Sequence, residues 1–272
     1  MKEIALQTAR KAGEQKLNIL REYLQNYLLF LAQKSEMNLD LFFVGGTALR
    51  FLYEIRRYSE DLDFSAGKSW HPSKISFYAE KMDKDLEKAG YSFSLHLKEE
   101  KTIQRMSVRF NDLLYESELT SQKNQKLPIN IEIDVNPPAG WIGEKTIVDV
   151  HLPVLVQHYD KSSLLAAKLA ALLIRPYTKG RDVYDIFWFQ TQWKEILPNF
   201  ELLNNAMAQK KEDFKRLNRN NWLETIQQKI KSLKWKEIEN DVSPFLEFED
   251  QKLAFTQENL FRLLSRQNES HK

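Results

Sequence analysis

Asp61 and Asp63 stand one residue apart in the run Tyr58-Ser59-Glu60-Asp61-Leu62-Asp63-Phe64. On an extended chain, residues two apart point to the same side. Both carboxylates then aim at one spot, while Leu62 and Phe64 face a core. Two like charges brought together need a cation between them. Mg²⁺ suits the pair, because it takes oxygen ligands and also holds substrate phosphates. Upstream, Val44-Gly45-Gly46-Thr47 reads as a strand end running into a helix. Glycines admit a phosphate close to the backbone, and a helix N-terminus offers N–H donors and a positive dipole end. Thr47 adds a hydroxyl.

A third carboxylate is expected from Ile131-Glu132-Ile133-Asp134-Val135. Its apolar residues fall on one face, and Glu132 and Asp134 fall on the other. Periodicity does not choose between them. Three converging acids can hold two Mg²⁺ ions, the arrangement for in-line transfer of a nucleotidyl group.

These residues need elements to position them. Residues 2–34 read as one long amphipathic helix, with Leu17, Leu20, Leu24, Leu28 and Leu31 at helical spacing. Leu41 to Val44 reads as a buried strand, and Thr47 to Arg56 as a helix that Thr47 caps. Leu62 to Ser65 is a second strand, and Ser73 to Ala89 a helix stopped at Gly90. From Tyr91 the period becomes two: Phe93, Leu95 and Leu97 alternate, then Ile103 to Phe110, then Ile129 to Val135. After about Pro153 the pattern is helical. Ser162 to Ile174 and Arg181 to Gln190 are helices. The expectation is an α/β half followed by an all-helical half, with a boundary near residues 150–156.

With 272 residues and 42% hydrophobic residues, the chain can bury a large core. Its 40 Lys+Arg and 38 Asp+Glu leave a net charge of +2, which neither demands nor excludes a nucleic-acid partner. There is no Cys, so thiolate metal sites and a cysteine nucleophile are excluded. His71, His96, His151, His158 and His271 do not pair at ligand spacing on a shared element. No apolar run reaches the roughly 20 residues of a membrane span, and the expectation is a soluble, cytoplasmic protein without a membrane partner. The run Phe187-Trp188-Phe189 reads as helix core rather than a base-stacking platform.

The segment from Phe42 to Ser65 closely resembles the first motif of the AbiEii-type nucleotidyltransferase toxins, within the polymerase-beta-like, minimal nucleotidyltransferase superfamily. Gly45 to Leu49, then Arg57-Tyr58-Ser59-Glu60-Asp61-Leu62-Asp63-Phe64, match that motif. Lys168 to Leu172 resembles the family's lysine helix, and Arg181-Asp182-Val183-Tyr184-Asp185-Ile186 its later Arg-Asp motif. The likeness runs from residue 40 to about 190.

The resemblance implies an α/β (α+β) fold: a nucleotidyltransferase-type mixed sheet with flanking helices over residues 1–155, then a helical domain over 156–272 that contributes Lys and Asp to the site. It implies Asp61 and Asp63 as metal ligands, with Glu132 ahead of Asp134 as the third. Gly45, Gly46 and Thr47 would cradle phosphates of the NTP, with Arg57 and Ser59 bracing the site or touching phosphate. Lys168 would contact the triphosphate, and Asp182 or Asp185 would complete the site. Asp185 is alternatively a structural partner of Arg181 or Arg175. The activity implied is Mg²⁺-dependent transfer of a nucleotide to an RNA, in studied members the tRNA 3′ end, by a toxin opposed by a separate antitoxin. Two other readings are transfer to a protein or small molecule, and an inactive nucleotide-binding regulatory module.

Overall fold

A computed structural model describes residues 1–210 and 213–270, with the side chains of 267–270 left aside; His271 lies outside it. In chain order the elements are α1 (Lys2–Arg10), α2 (Lys16–Lys34), β1 (Leu41–Val44), α3 (Gly45–Tyr53), β2 (Leu62–Ala66), α4 (Lys74–Lys88), β3 (Phe93–Glu99), β4 (Ile103–Phe110), α5 (Leu113–Glu116), β5 (Leu127–Asp134), β6 (Gly143–Asp149) and β7 (Pro153–Tyr159). Helices α6 (Lys161–Ile174), α7 (Gly180–Gln192), α8 (Phe200–Ala208), α9 (Trp222–Lys231), α10 (Trp235–Val242), α11 (Asp250–Ala254) and α12 (Gln257–Ser270) follow. The chain divides into two compact units.

The first unit comprises Met1–Glu54, Tyr58–Pro137 and Glu144–His158. Its centre is a seven-stranded mixed sheet in the order β3-β4-β5-β2-β1-β7-β6. β2 runs antiparallel to β1 and parallel to β5, while β4 is antiparallel to both β3 and β5. The alternation read from the sequence sets which face is buried. Leu62, Phe64, Ile129, Ile131 and Ile133 are buried, while Asp63, Asn130, Glu132 and Asp134 lie half-exposed on the opposite pleat. Leu24, Leu28 and Leu31 of α2 belong to the same core cluster as these strand residues.

Two expectations fail here. The N-terminal segment is not one helix. α1 ends at Arg10, and Gly13, at a left-handed φ of +55°, opens a short 3-10 turn before α2. Nor does the helical part begin at Pro153: β7 occupies Pro153–Tyr159, and the first helix after it starts at Lys161. β6 and β7 extend the sheet, with β7 parallel to β1 at Phe43 and His158. β7 buries Val154, Val156 and His158 in alternation, but β6 is exposed at nearly every position. An edge strand of that kind carries almost no hydrophobic period, so sequence patterning passes over it.

The second unit comprises Ile55–Arg57, Pro138–Gly143 and the chain from Tyr159 on, and contains α6 to α12. Asp160 caps α6 by accepting the N–H of Ser163 at 2.8 Å. Leu165, Leu169, Val183, Ile186, Phe189 and Trp222 are fully buried in it. Trp188 is buried too, and Phe187 packs edge-on against Phe255 at 5.4 Å, so these rings are core as their helical spacing predicts. Among the described residues no helix is long and apolar enough to cross a membrane.

Candidate active site

The acids lie on adjoining parallel strands. Asp63 on β2 pairs in register with Glu132 on β5, and Ser65 with Asp134. Asp61 immediately precedes β2. Its Oδ1 accepts a hydrogen bond from Asn130 Nδ2 at 2.9 Å, and Asn130 Oδ1 in turn accepts from the Ser107 hydroxyl at 2.8 Å. Burial raises the Asp61 pKa, the neighbouring Glu132 and Glu60 charges raise it further, and the Asn130 bond opposes them. Asn130 was not legible as a site residue; the only trace is its place two before Glu132 on the polar face of β5.

Glu132 and Asp134 have different partners. Arg105 on β4 lies opposite Glu132 and donates from Nε to its Oε1 at 2.8 Å, with Nη2 in ion-pair contact with the same oxygen at 2.7 Å. Asp134 Oδ1 accepts the backbone N–H of Asn136 at 2.9 Å, which fastens the turn after β5.

Gly45 starts α3 with φ +80°. A Cβ at that position would stand 2.1 Å from Asp63 Oδ2, so the space a side chain would fill holds the Asp63 carboxylate. The corner and the acid pair are thus one packed feature. Gly46 and Thr47 are buried in the first turn of α3. Thr47 does not cap the helix. It is fully buried, and its hydroxyl donates to the Asp61 backbone carbonyl at 2.5 Å. The hydroxyl fixes the backbone just ahead of β2. Ser59 is half-buried, and its carbonyl accepts from Gln25 Nε2 at 3.1 Å.

Among the described residues, no three Asp, Glu or His side chains are gathered closely enough to enclose a metal ion. The expected three-way convergence is therefore not formed. Arg105 neutralises part of the Glu132 charge beside Asp63. The donor set still fits a hard divalent ion, since it is all oxygen. Arg105 bonds only Oε1 of Glu132, and Asn130 only Oδ1 of Asp61.

The second unit holds its own ionic cluster. Arg57 is 1% exposed and forks onto Asp185, with Nε at 2.6 Å from Oδ1 and Nη2 at 2.7 Å from Oδ2. This bidentate pair engages Nε and Nη2 of Arg57 with a carboxylate of the same unit. Lys168 on α6 bonds Asp185 at 2.8 Å and Asp182 at 3.0 Å. Arg175 pairs with Asp182, so Asp185 takes Arg57 and Lys168 as partners rather than Arg181 or Arg175. Arg181 lies instead over the Phe245 ring at 4.3 Å. Three cations meet two carboxylates. Burial alone would lower the Lys168 pKa, but Asp185 and Asp182 outweigh it and raise it.

The sequence matches the model of a family described as nucleotidyl transferase AbiEii toxin, type IV toxin–antitoxin system, over residues 28–255. The chain belongs to the AbiEii nucleotidyltransferase toxin family. Two solved structures share the AbiEii chain's fold. One, from H. pylori, is assigned as a nucleotidyltransferase; at 15% identity and a TM-score of 0.56 it aligns 91% of this chain with 95% of its own. The other is JHP933 from Helicobacter pylori, at 16% identity and a TM-score of 0.52, aligning 92% of this chain with 95% of its own. No curated protein matches the sequence. Family and fold make this AbiEii chain a nucleotidyltransferase of a toxin–antitoxin system, with an antitoxin and a nucleotide substrate implied.

Proposed function

We propose that the chain uses Mg²⁺ to move a nucleotide from an NTP onto the end of an RNA acceptor in the cytoplasm, with a tRNA 3′ end as the acceptor the family resemblance favours. The observation that carries this reading is the register of Asp63 beside Glu132, with Asp61 alongside and the Gly45 corner packed against Asp63. Asp61 and Asp63 would hold the divalent ion, and Glu132 would join them as Arg105 turns to the substrate. The acid count suits two ions. When bound, such ions lower the pKa of an attacking hydroxyl and neutralise charge on the phosphates.

The chain's own groups supply the rest. The first turn of α3 would offer backbone N–H groups and a dipole end to the triphosphate, with Gly45 letting that turn pack against the Asp63 carboxylate. Thr47 and Asn130 hold the backbone and carboxylate of Asp61 in place. Lys168, Asp182 and Asp185 enter as the ionic cluster that ties α6 to α7.

The test incubates the full chain with Mg²⁺, each labelled NTP and total RNA. Label on RNA that is lost with EDTA and with Asp63→Ala supports the reading. Label on protein, or none on any acceptor, sinks it.

A further inference from the structure

The polar pleat that carries the acids continues across β5, β4 and β3 and changes sign. A cavity of about 570 Å³ opens on it, lined by Lys98, Arg105, Arg109, Lys126, His96 and Asn130 together with Ser107 and Pro128. Registers place these side by side: Lys98 opposite Arg105, Ser107 opposite Asn130, Arg109 opposite Pro128. The reverse face of the same strands is core, with Met106, Val108, Ile129 and Ile131 buried. Among the described residues no carboxylate lines the cavity. Lys98 pairs with Glu100 at 2.6 Å and Arg105 with Glu132. Arg109 and Lys126 are exposed and have no carboxylate partner among the described residues; Lys126 Nζ is 3.5 Å from Ser94 Oγ. In a chain of net charge +2, such a concentration of cations is local.

We infer that this groove binds the phosphate backbone of a single-stranded RNA acceptor and leads its end to the acids. The inference rests on the transfer reading above. Two groove residues make the link: Asn130 donates to Asp61, and Arg105 holds Glu132. Sheet order separates the two substrates. The Gly45 corner follows β1, on one flank of the acids of β2 and β5, and the groove lies on the other flank. A triphosphate at α3 leaves the cationic flank to the acceptor. Among the described residues no Phe, Tyr or Trp ring lines the groove, so recognition falls on the backbone and tolerates sequence.

The test measures binding of a fluorescent single-stranded RNA to the full chain in EDTA without NTP, across a salt series. Arg109→Ala/Lys126→Ala is expected to weaken binding at least tenfold at low salt. Loss of two phosphate contacts should also reduce the salt slope by about 1.4. Lys84→Ala/Lys88→Ala, two exposed lysines of α4, should leave binding unchanged. Equal RNA binding by wild type and the groove variant, or no RNA binding by wild type, overturns the proposal. Groove-dependent binding of poly-glutamate in place of RNA also overturns it and assigns the surface to an acidic polypeptide. The labelling experiment fails separately. Groove-dependent binding without labelling of RNA sinks the transfer reading and supports the groove, and labelling with groove-independent binding does the reverse.

Discussion

Gly45 and Asp63 occupy each other's space: the volume where a Cβ of residue 45 would project is filled by the Asp63 carboxylate, with Oδ2 2.1 Å from that point. The glycine is demanded twice, by this contact and by φ +80°. Gly45→Ala is expected to lose on the order of 1–3 kcal/mol of stability and most transfer activity, because the carboxylate or the corner must move. In Asp63→Ala the two closest atoms, Oδ2 and Cγ, are gone. The cost of Gly45→Ala should therefore shrink in that background. A double-mutant cycle by urea unfolding measures the coupling, and strictly additive costs would show that the contact does not govern the corner.

Arg57 and Asp185 form a buried fork with both parallel bonds made. Removing one partner strands the other charge, so Arg57→Met should cost roughly 3–5 kcal/mol. Arg57→Lys should recover little, since an ammonium cannot make the two planar bonds. Nucleotide affinity measured well below the melting temperature should be unchanged in both variants. A lowered affinity at full folding would return Arg57 to the substrate.

The site was legible where spacing fixes direction. Alternation in Ile129 to Val135 and Leu62 to Phe64 assigns the core face, and the acids follow on the other. Asn130, Arg105 and the Gly45 contact were not legible, because each depends on which strands become neighbours. A pairing of β5 with both β2 and β4 brings residues far apart in sequence to hydrogen-bond distance, and no local period encodes it. The partners of Thr47 and Arg57 were not legible for the same reason: a hydroxyl or guanidinium near a motif reads as available until its tertiary partner is known.

The Lys168 cluster predicts two pH limbs. Burial pushes the Asp182 pKa up, but the Lys168 and Arg175 charges outweigh it and hold it below the usual carboxylate range. Its stabilisation is complete above the unfolded value, about 3.9, and is lost as pH falls through the folded value. The raised pKa of Lys168 acts oppositely. Its share is complete below the unfolded value, about 10.4, and is lost as pH rises through the folded value. Melting temperature against pH should show a flatter acid limb in Asp182→Asn and a flatter alkaline limb in Lys168→Met. Unaltered limbs in these variants would mean the cluster contributes no pH-linked stability.

Glu132 and Asp134 differ in what holds them, and that difference separates their roles. Asp134 points into the turn, where it accepts the Asn136 N–H, and its strand partner is Ser65. Glu132 stands beside Asp63, and Arg105 occupies one of its oxygens. Glu132→Gln keeps size and a hydrogen-bond acceptor but removes the charge a cation requires. It should lower transfer by more than about 100-fold, beyond the usual loss for a residue that only orients a ligand. Asp61→Asn and Asp63→Asn should match it. Asp134→Asn should keep activity within about tenfold and cost mainly stability, about 1 kcal/mol, for the weakened turn bond. Single-turnover rates at saturating Mg²⁺, together with circular dichroism to confirm folding, provide the comparison. A large rate loss in Asp134→Asn beside an active Glu132→Gln would exchange the two assignments.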